Sequence, residues 1–530
     1  MTASSAPSTS PDLSTTAGKL DDLRSRLAET AAPAGEASVA AVHGEGRLTA
    51  RERVDGLLDE GSFTEIDALA RHRSTSFNLD RDRPVTDGVV TGYGTVDGRQ
   101  VCVFSQDATV FDGTVGETHG EKLAKVMELA LRSGVPLVGI HDSAGGRVKE
   151  GVVSLGTAAR LYRLRAQLSG VVPQISVIAG PTAGTEAHQP ALADVVVTVR
   201  DAGTLYLTDP ETTARVVGEE TSAAELGSAE VLMDNGTSHL TVASDTEALA
   251  TVRDVLAQLP ANNRAPAPVA EAPAEPETGV LDTLLPDSPL GGYDVHDVLA
   301  GFLDPDSLLE LQADHAGNVV TGFARIDGRS VGVIASQPLV LAGALDARAA
   351  RKAARFVRFC DAFNLPLVFV VDSPGFLPGV AEERSGLLRQ SAPLLYAVAE
   401  ATVGIVTVVT RKAYGTSYVA LGSKNIGADL VYAWPTAQIS NADAENTVNA
   451  VHAETLAKAE RRRKDVDALR ASLIDEVEDS LVNPYAAAER GYVDMVIPPS
   501  ETRRRLIDGL ALVERKLVQT TPRKHGNLPL

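Results

Sequence analysis

The chain has 530 residues, a formal charge of −21, 44% hydrophobic and 22% charged residues, and two cysteines, Cys102 and Cys360. That length exceeds one hydrophobic core, so two domains are expected. The acidity argues against nucleic acid as a partner, and two cysteines exclude a disulfide framework or a cysteine-rich zinc site. No apolar run is long enough to span a bilayer, so no membrane association and a cytoplasmic location are expected. Residues 1–18, rich in Ser, Thr, Ala and Pro, read as a disordered tail without a signal core. Leu20 to Leu27 is helical. Arg47 to Leu58 is a stronger helix, with Thr49 and Glu52 at capping-box spacing. Val89–Thr95 and Val101–Ser105 read as strands joined by the hairpin signal Asp97-Gly98. Glu121–Arg132 is an amphipathic helix and Leu137–Ile140 a short buried strand. A small-residue loop, Asp142 to Gly151, leads into a helix over Leu155–Leu168. The strand Ile175–Ile178 then runs into the turn Gly180-Pro-Thr-Ala-Gly-Thr-Glu186.

Pro260 to Pro276 is a linker of Ala, Pro and Glu, after which the pattern begins again. Val89-Val-Thr-Gly-Tyr-Gly-Thr-Val-Asp-Gly-Arg99 returns as Val319-Val-Thr-Gly-Phe-Ala-Arg-Ile-Asp-Gly-Arg329, and Pro136–Asp142 returns as Pro366–Asp372, both 230 residues later. A constant spacing makes the chain two copies of one α/β unit. The second copy carries a strand over Ile405–Val409 followed by the turn Ala413-Tyr-Gly-Thr-Ser-Tyr418. Gly184 and Gly415 occupy matching places. A strand-to-helix turn of this kind aims backbone N–H groups at a developing oxyanion, although it is also an ordinary connection in α/β proteins. Ala453–Ser480 reads as one mixed-charge helix with the solvated run Arg461–Lys464, and Thr502–Leu517 as a last amphipathic helix. His119, His141, Tyr432 and Trp434 read as structural. Arg51 and Arg53 read as a helix surface, with the phosphates of a ligand as the sharper alternative.

Longer motifs carry a resemblance. They include Leu48-Thr-Ala-Arg-Glu-Arg53, Asp87-Gly-Val-Val-Thr-Gly-Tyr-Gly-Thr95, Phe376-Leu-Pro-Gly379, Thr410-Arg-Lys-Ala-Tyr-Gly415, Trp434-Pro-Thr-Ala-Gln-Ile439 and Asn483-Pro-Tyr-Ala-Ala-Ala-Glu-Arg-Gly491. From about Leu20 to Leu530 the chain resembles the carboxyltransferase (β) subunit of biotin-dependent acyl-CoA carboxylases, the propionyl-CoA carboxylase type of actinomycetes. The resemblance implies an α/β fold of two tandem crotonase-like β-β-α superhelical domains. Residues 19–260 would form the acyl-CoA side, 261–278 the linker and 279–530 the biotin side. It implies CO2 transfer from carboxybiotin to the α-carbon of an acyl-CoA through an enolate. It also implies a homo-hexamer, biotin on a separate biotin carboxylase/biotin carrier α subunit, a CoA thioester as substrate and no metal. The backbone N–H groups of Gly184, Thr185, Thr416 and Ser417 would be the oxyanion donors. Ala144, Gly145, Gly146, Arg147, Glu186, Phe376, Leu377, Tyr414, Gly415, Val419 and Asp443 would bind substrate.

Several of these positions depart from the family pattern. The N-terminal turn of the family reads Gly-Pro-Cys-Ala-Gly-Gly-Ala, and here Thr185 and Glu186 replace its last two residues. Thr416 replaces the second glycine of the C-terminal turn, and Asp443 and Asn446 replace glycines further on. A β-branched residue resists positive φ and projects a side chain where a ligand would lie. Hydroxyls of Thr185, Thr416 and Ser417 are therefore expected near the ligands, and Glu186 and Asp443 are expected to add opposing charge. Two other functions stay open at this point. One is a diverged crotonase-fold enzyme acting on a thioester without biotin, as in decarboxylation, through Thr185, Glu186 or His188. The other is a non-catalytic assembly subunit.

Overall fold

The structure, a computed structural model of the chain, describes residues 11–271, 274–288, 291–519 and 521–529. Residues 1–10 of the expected tail lie outside it. The remainder of that tail is partly ordered, because Thr15 accepts a hydrogen bond from the Gly18 amide and starts a helix over Thr16–Glu29. The chain divides after Asp254 into two compact units.

Each unit is built on an eight-stranded mixed sheet, and the two sheets have the same strand order. In the first, Thr64–Glu65, Val89–Val96 and Arg99–Gln106 run antiparallel, and Leu137–Ser143, Gln174–Ala183 and Val195–Val199 follow in parallel. In the second, Leu309–Leu311, Val319–Ile326 and Arg329–Ser336 are antiparallel, followed by parallel Leu367–Ser373, Ile405–Tyr414 and Leu430–Ala433. The hairpin turns fall where their dipeptides place them. Asp97 and Gly98 have φ of 49° and 75°, and Asp327 and Gly328 have 52° and 74°, the left-handed pair a two-residue turn requires.

The repeat extends into conformations that the residue types do not announce. Phe111, Asp112 and Gly113 are all left-handed, and so are Leu341, Ala342 and Gly343 at the matching positions. A β-carbon on Gly113 would lie 2.2 Å from the Asp142 carbonyl oxygen, and one on Gly343 would lie 2.2 Å from that of Asp372. Lys122 and Lys352 are buried and donate to main-chain carbonyls, Lys122 to Thr86 and Lys352 to Gln312, His315 and Val319. The register of the central parallel pair slips at His141/Ser143 in one unit and at Val371/Ser373 in the other.

Helices Glu117–Ser133 and Val152–Leu168 cover the first sheet through Leu123, Val126, Met127, Leu161 and Leu168. In the second unit, Val295–Ala300 and Thr502–Val513 bury Val298, Leu299, Leu506 and Leu510 beside Val406 and Val408. Burial of side chains like these supplies ~1.5–3 kcal/mol apiece before entropy is charged. Trp434 lies in this core and donates its indole N–H to Thr502 Oγ1 at 2.9 Å.

Some elements differ from expectation. The strands expected at Ile175–Ile178 and Ile405–Val409 run on to Ala183 and Tyr414. The polar end of the latter is tolerated because Asp372 accepts from Arg411 Nε at 3.0 Å and from the Lys412 amide at 3.1 Å. The helix expected over Ala453–Ser480 is two helices, Ala453–Arg461 and Val466–Ser480. Consecutive cations suit a helix C-terminus, Arg463 turns left-handed, and Asp465 accepts from the Ala468 amide to start the second helix. The expected linker is irregular among its described residues apart from a single bridge of Val269 to Arg329 and its last residue, which starts the 3₁₀ turn Thr278–Thr283. It is nonetheless held to the second unit, since the Asn364 side chain donates to the Asn263 and Ala265 carbonyls. No helix among the described residues is long and apolar enough to cross a membrane.

Candidate active site

In the first unit, strand Gln174–Ala183 ends at Gly184, where φ is +57°, and a 3₁₀ turn over Gly184–Ala187 begins. In the second, Ile405–Tyr414 ends at Gly415, also at φ +57°, and a helix runs over Gly415–Ala420. No atom crowds the β-carbon direction at Gly184, so the backbone angle alone calls for glycine there. Thr185 and Thr416 are not among the left-handed residues. The resistance to positive φ expected of these threonines does not arise, because the left-handed position in each turn is the glycine before it. The first amides of such a turn have no acceptor within the helix and carry its positive end.

A second backbone segment lies against each turn. Ala144 to Arg147 follows strand Leu137–Ser143, and a bridge fixes it: the Val115 amide donates to the Gly145 carbonyl and the Arg147 amide to the Val115 carbonyl. Gly146 sits between these two bonds with its N–H on the other edge. A β-carbon on Gly145 would lie 2.9 Å from the Ala183 carbonyl oxygen, and one on Gly146 would lie 3.1 Å from Thr185 Oγ1. The segment and the turn therefore meet closely. In the second unit Leu345 bridges Phe376 in the same way, with bonds to the Gly375 carbonyl and from the Leu377 amide. Phe376 is thus the counterpart of Gly146, and both Phe376 and Leu377 are half-buried.

Side-chain directions correct several expectations. Glu186 does not project outward from the turn; its side chain is fully buried. Gln106 Nε2 donates to its Oε2 at 3.3 Å, and Oε1 has no partner. Burial pushes this carboxyl up to about 7, against the opposing effects of the Gln106 hydrogen bond and the Arg165 charge. Gln106 is the hub of this polar cluster, since its Oε1 also accepts from the Asp142 amide at 3.1 Å. His119 donates from Nδ1 to the Asp87 carbonyl at 3.0 Å, and burial holds its pKa well below the usual imidazole value. His141 is likewise neutral, 3.1 Å from Ser176 Oγ. Arg147 is not free for a ligand: its Nη1 pairs with Asp87 at 2.7 Å and Glu150 at 3.0 Å.

The Ser417 hydroxyl also points inward, accepting from Ser373 Oγ at 3.1 Å and donating to the Tyr414 carbonyl at 3.0 Å. Tyr414 is buried and donates its hydroxyl to Gln438 Oε1. Asp443 caps the helix Ala444–Val451, accepting from the Asn446 amide at 2.7 Å and its side chain at 2.8 Å. Its charge meets a helix N-terminus, and the two glycine replacements act as one cap. Arg53 is neither a surface nor a phosphate ligand; it is 1% exposed and joins Asp142 at 3.0 Å and Asp245 at 3.1 Å. Thr416 and Val419 stay exposed and line a cleft of about 470 Å³ with Ile439, Leu481, Ala487 and Tyr492.

Sequence reasoning missed Gln106, Tyr162 and Arg165. Gln106 sits at a strand end with no local motif. Tyr162 reaches the turn from the middle of a helix, its hydroxyl donating to the Thr185 carbonyl. Arg165, fully buried, donates to Gln189 Oε1 at 2.9 Å on the segment following the turn.

Two equivalent sheets, each delivering a left-handed glycine turn opposite a bridged loop, define a tandem crotonase-like protein. A model of the carboxyl transferase domain matches residues 41–528. The chain is 53% identical over 529 residues to the biotin-dependent acetyl-/propionyl-coenzyme A carboxylase beta5 subunit of Mycobacterium tuberculosis, covering 98% of this chain and 96% of that one. It is 50% identical over 536 residues to the propionyl-CoA carboxylase beta chain of Saccharopolyspora erythraea, covering 99% and 98%. The solved structure of the transcarboxylase 12S hexamer with methylmalonyl-coenzyme A bound matches with a TM-score of 0.93 at 43% identity, over 97% of this chain and 99% of that one. The chain belongs to the carboxyl transferase family.

Proposed function

We propose that this carboxyltransferase carboxylates the α-carbon of a short acyl-CoA, of acetyl or propionyl size, as one subunit of a biotin-dependent carboxylase. The observation that carries the reading is the pair of left-handed glycines, Gly184 and Gly415, retained at φ +57° beside the two threonines. The similarity to acetyl-/propionyl- and propionyl-CoA carboxylase β chains supports the substrate class. A homo-hexamer is the assembly we assign, by likeness to the transcarboxylase 12S hexamer. Its partner is a biotin carboxylase/biotin carrier subunit.

In this reading the first unit, from residue 19 to the linker, holds the acyl-CoA. The thioester oxygen sits between the amides of Gly146 and of the Gly184–Thr185 turn. As the α-proton leaves, charge builds on that oxygen, and the amides stabilise it where water would have to reorganise. Loss of one such donor typically costs ~3 kcal/mol of barrier. Glu186 stays out of contact with the enolate because its side chain lies in the core.

In the same reading the second unit takes the biotin ring. The cleft lined by Gly415 and Thr416 has apolar walls at Val419, Ile439 and Leu481. Such walls accept a neutral bicyclic ring, and the amides of Gly415 and Thr416 would hold its ureido oxygen. When bound, carboxybiotin supplies CO2 and a ureido base. Inward rotation of Ser417 and capping by Asp443 leave the cleft without a competing hydroxyl or free carboxylate at those positions.

The test is carboxylation of acetyl-, propionyl- and butyryl-CoA by the purified chain with its biotin carboxylase/carrier subunit, ATP and labelled bicarbonate. Acid-stable label in malonyl- or methylmalonyl-CoA is the expected result. Loss of CO2 from those products without the biotin subunit, and no fixation with it, would overturn the proposal.

A further inference from the structure

The turn that presents Gly184 and Thr185 is only four residues of 3₁₀ structure followed by the four-residue helix His188–Ala191. Neither is long enough to be stiff by itself. Its geometry must therefore come from outside, and one side chain supplies two contacts. Tyr162 stands in the middle of the 17-residue helix Val152–Leu168. Its hydroxyl donates to the Thr185 carbonyl. Its ring meets the His188 ring edge-on, with centroids 5.6 Å apart. The two contacts are three residues apart, so they span the turn. From the other side Thr185 Oγ1 packs at Gly146, where no β-carbon intervenes.

The second unit holds its turn differently. There the tie comes from the adjacent strand end, Ser373 Oγ to Ser417 Oγ, and from Ser417 to the Tyr414 carbonyl. Glu186 occupies the matching place in the first unit and faces Gln106 instead, so that tie is missing. The hydroxyl of Tyr162 acts in its stead. Burial and the nearby Glu186 raise the Tyr162 phenol above its ordinary value, which keeps the hydroxyl a donor at neutral pH.

The geometry points to Tyr162 as a positioning residue for carboxyl transfer: it holds the Thr185–Glu186 peptide by its carbonyl and so fixes the adjoining Gly184–Thr185 peptide, whose N–H faces the thioester oxygen. This inference rests on the reading under Proposed function. Tyr162 need not touch the substrate. It fixes the direction of donors whose effect depends on alignment.

The experiment is Tyr162→Phe, which removes the hydroxyl and keeps the ring against His188, with Tyr162→Leu as a second variant that removes both contacts. Each is assayed with propionyl-CoA, the biotin carboxylase/carrier subunit, ATP and labelled bicarbonate. Amide hydrogen exchange over residues 183–189 is followed in parallel. For Tyr162→Phe we expect kcat to fall about five- to tenfold, the rate equivalent of one hydrogen bond. KM for propionyl-CoA and the melting midpoint should stay near wild type, with faster exchange confined to the turn. Tyr162→Leu should fall further in kcat with the same pattern. Wild-type kcat and exchange in Tyr162→Phe overturn the clamp alone. A fall in melting midpoint and a rise in KM together also overturn it, because they mark a merely structural role. Absence of label fixation by the wild-type chain overturns the carboxylation reading, and the clamp with it.

Discussion

Replacing Glu186 by Gln should make the protein more stable, and only above a certain pH. The carboxyl is fully buried, accepts one hydrogen bond from Gln106 and has an oxygen without a partner. Its pKa rises to about 7 from 4.5, chiefly because burial disfavours the charged form. A carboxyl with a raised folded-state pKa takes up a proton on folding between those two values. Its relative contribution to stability is fully present below about pH 4.5 and is lost as pH rises through about 7. The accumulated penalty is the energy of about 2.5 pKa units, or ~3 kcal/mol. Gln has nearly the same shape and no charge to desolvate. Glu186→Gln and wild type should melt alike near pH 5. By pH 8–9 the variant should melt higher, by roughly 6–12 °C for a unit of about 250 residues at ~2–4 °C per kcal/mol. Thermal melts of both proteins from pH 5 to 9 read this directly. A difference that is the same at pH 5 and pH 9 would refute the reasoning, since a titrating buried acid cannot produce it.

Four more outcomes follow from the same geometry. Gly184→Ala and Gly415→Ala force a β-carbon into φ +57°, at ~1–2 kcal/mol each, and should cut label fixation at least about tenfold while the sheets stay folded by circular dichroism. Arg53→Met takes the cation from buried Asp245 and leaves Asp142 to Arg47 alone, so the first unit should lose ~3–5 kcal/mol in denaturant titration. Gly113→Ala and Gly343→Ala should each abolish soluble folded protein, because both β-carbons collide with a carbonyl oxygen at 2.2 Å. Gly156→Ala, on an open helix face, should raise the melting midpoint by the equivalent of ~0.5–1 kcal/mol.

The frame was readable because its signals are local. Asp97-Gly98 marks a hairpin by its own dihedral preferences, and Thr49 with Glu52 forms the capping box its spacing announces. The repeat at 230 residues puts Gly184 and Gly415, 231 residues apart, at matching ends of the two copies. Direction was not readable. Glu186 and Ser417 occupy equivalent places, yet whether a side chain points to ligand or core depends on Gln106 and on Ser373, distant in sequence. Asp443 was legible in principle, since Asp three residues before Asn446 is a helix-start spacing, but substitution of a glycine drew attention to charge instead. The break at Arg463 was masked by an apolar periodicity that continues across it. Tyr162 carried no signal, because a lone tyrosine on a helix has no motif until the turn is folded beside it.

The central strand pair keeps the same slip in both units although the crossovers that feed it differ in length. Leu137 pairs with Gln174 in one unit and Leu367 with Ile405 in the other, so the second crossover is one residue longer. The extra residue is absorbed between the strands, and the ladders on both sides remain in phase. Crossover length and composition can therefore drift without flipping a single core residue to the wrong face. Each crossover behaves as an exchangeable wall on a fixed chassis. Two units on one plan can differ in their walls while the strand ends that carry Gly184 and Gly415 stay in place.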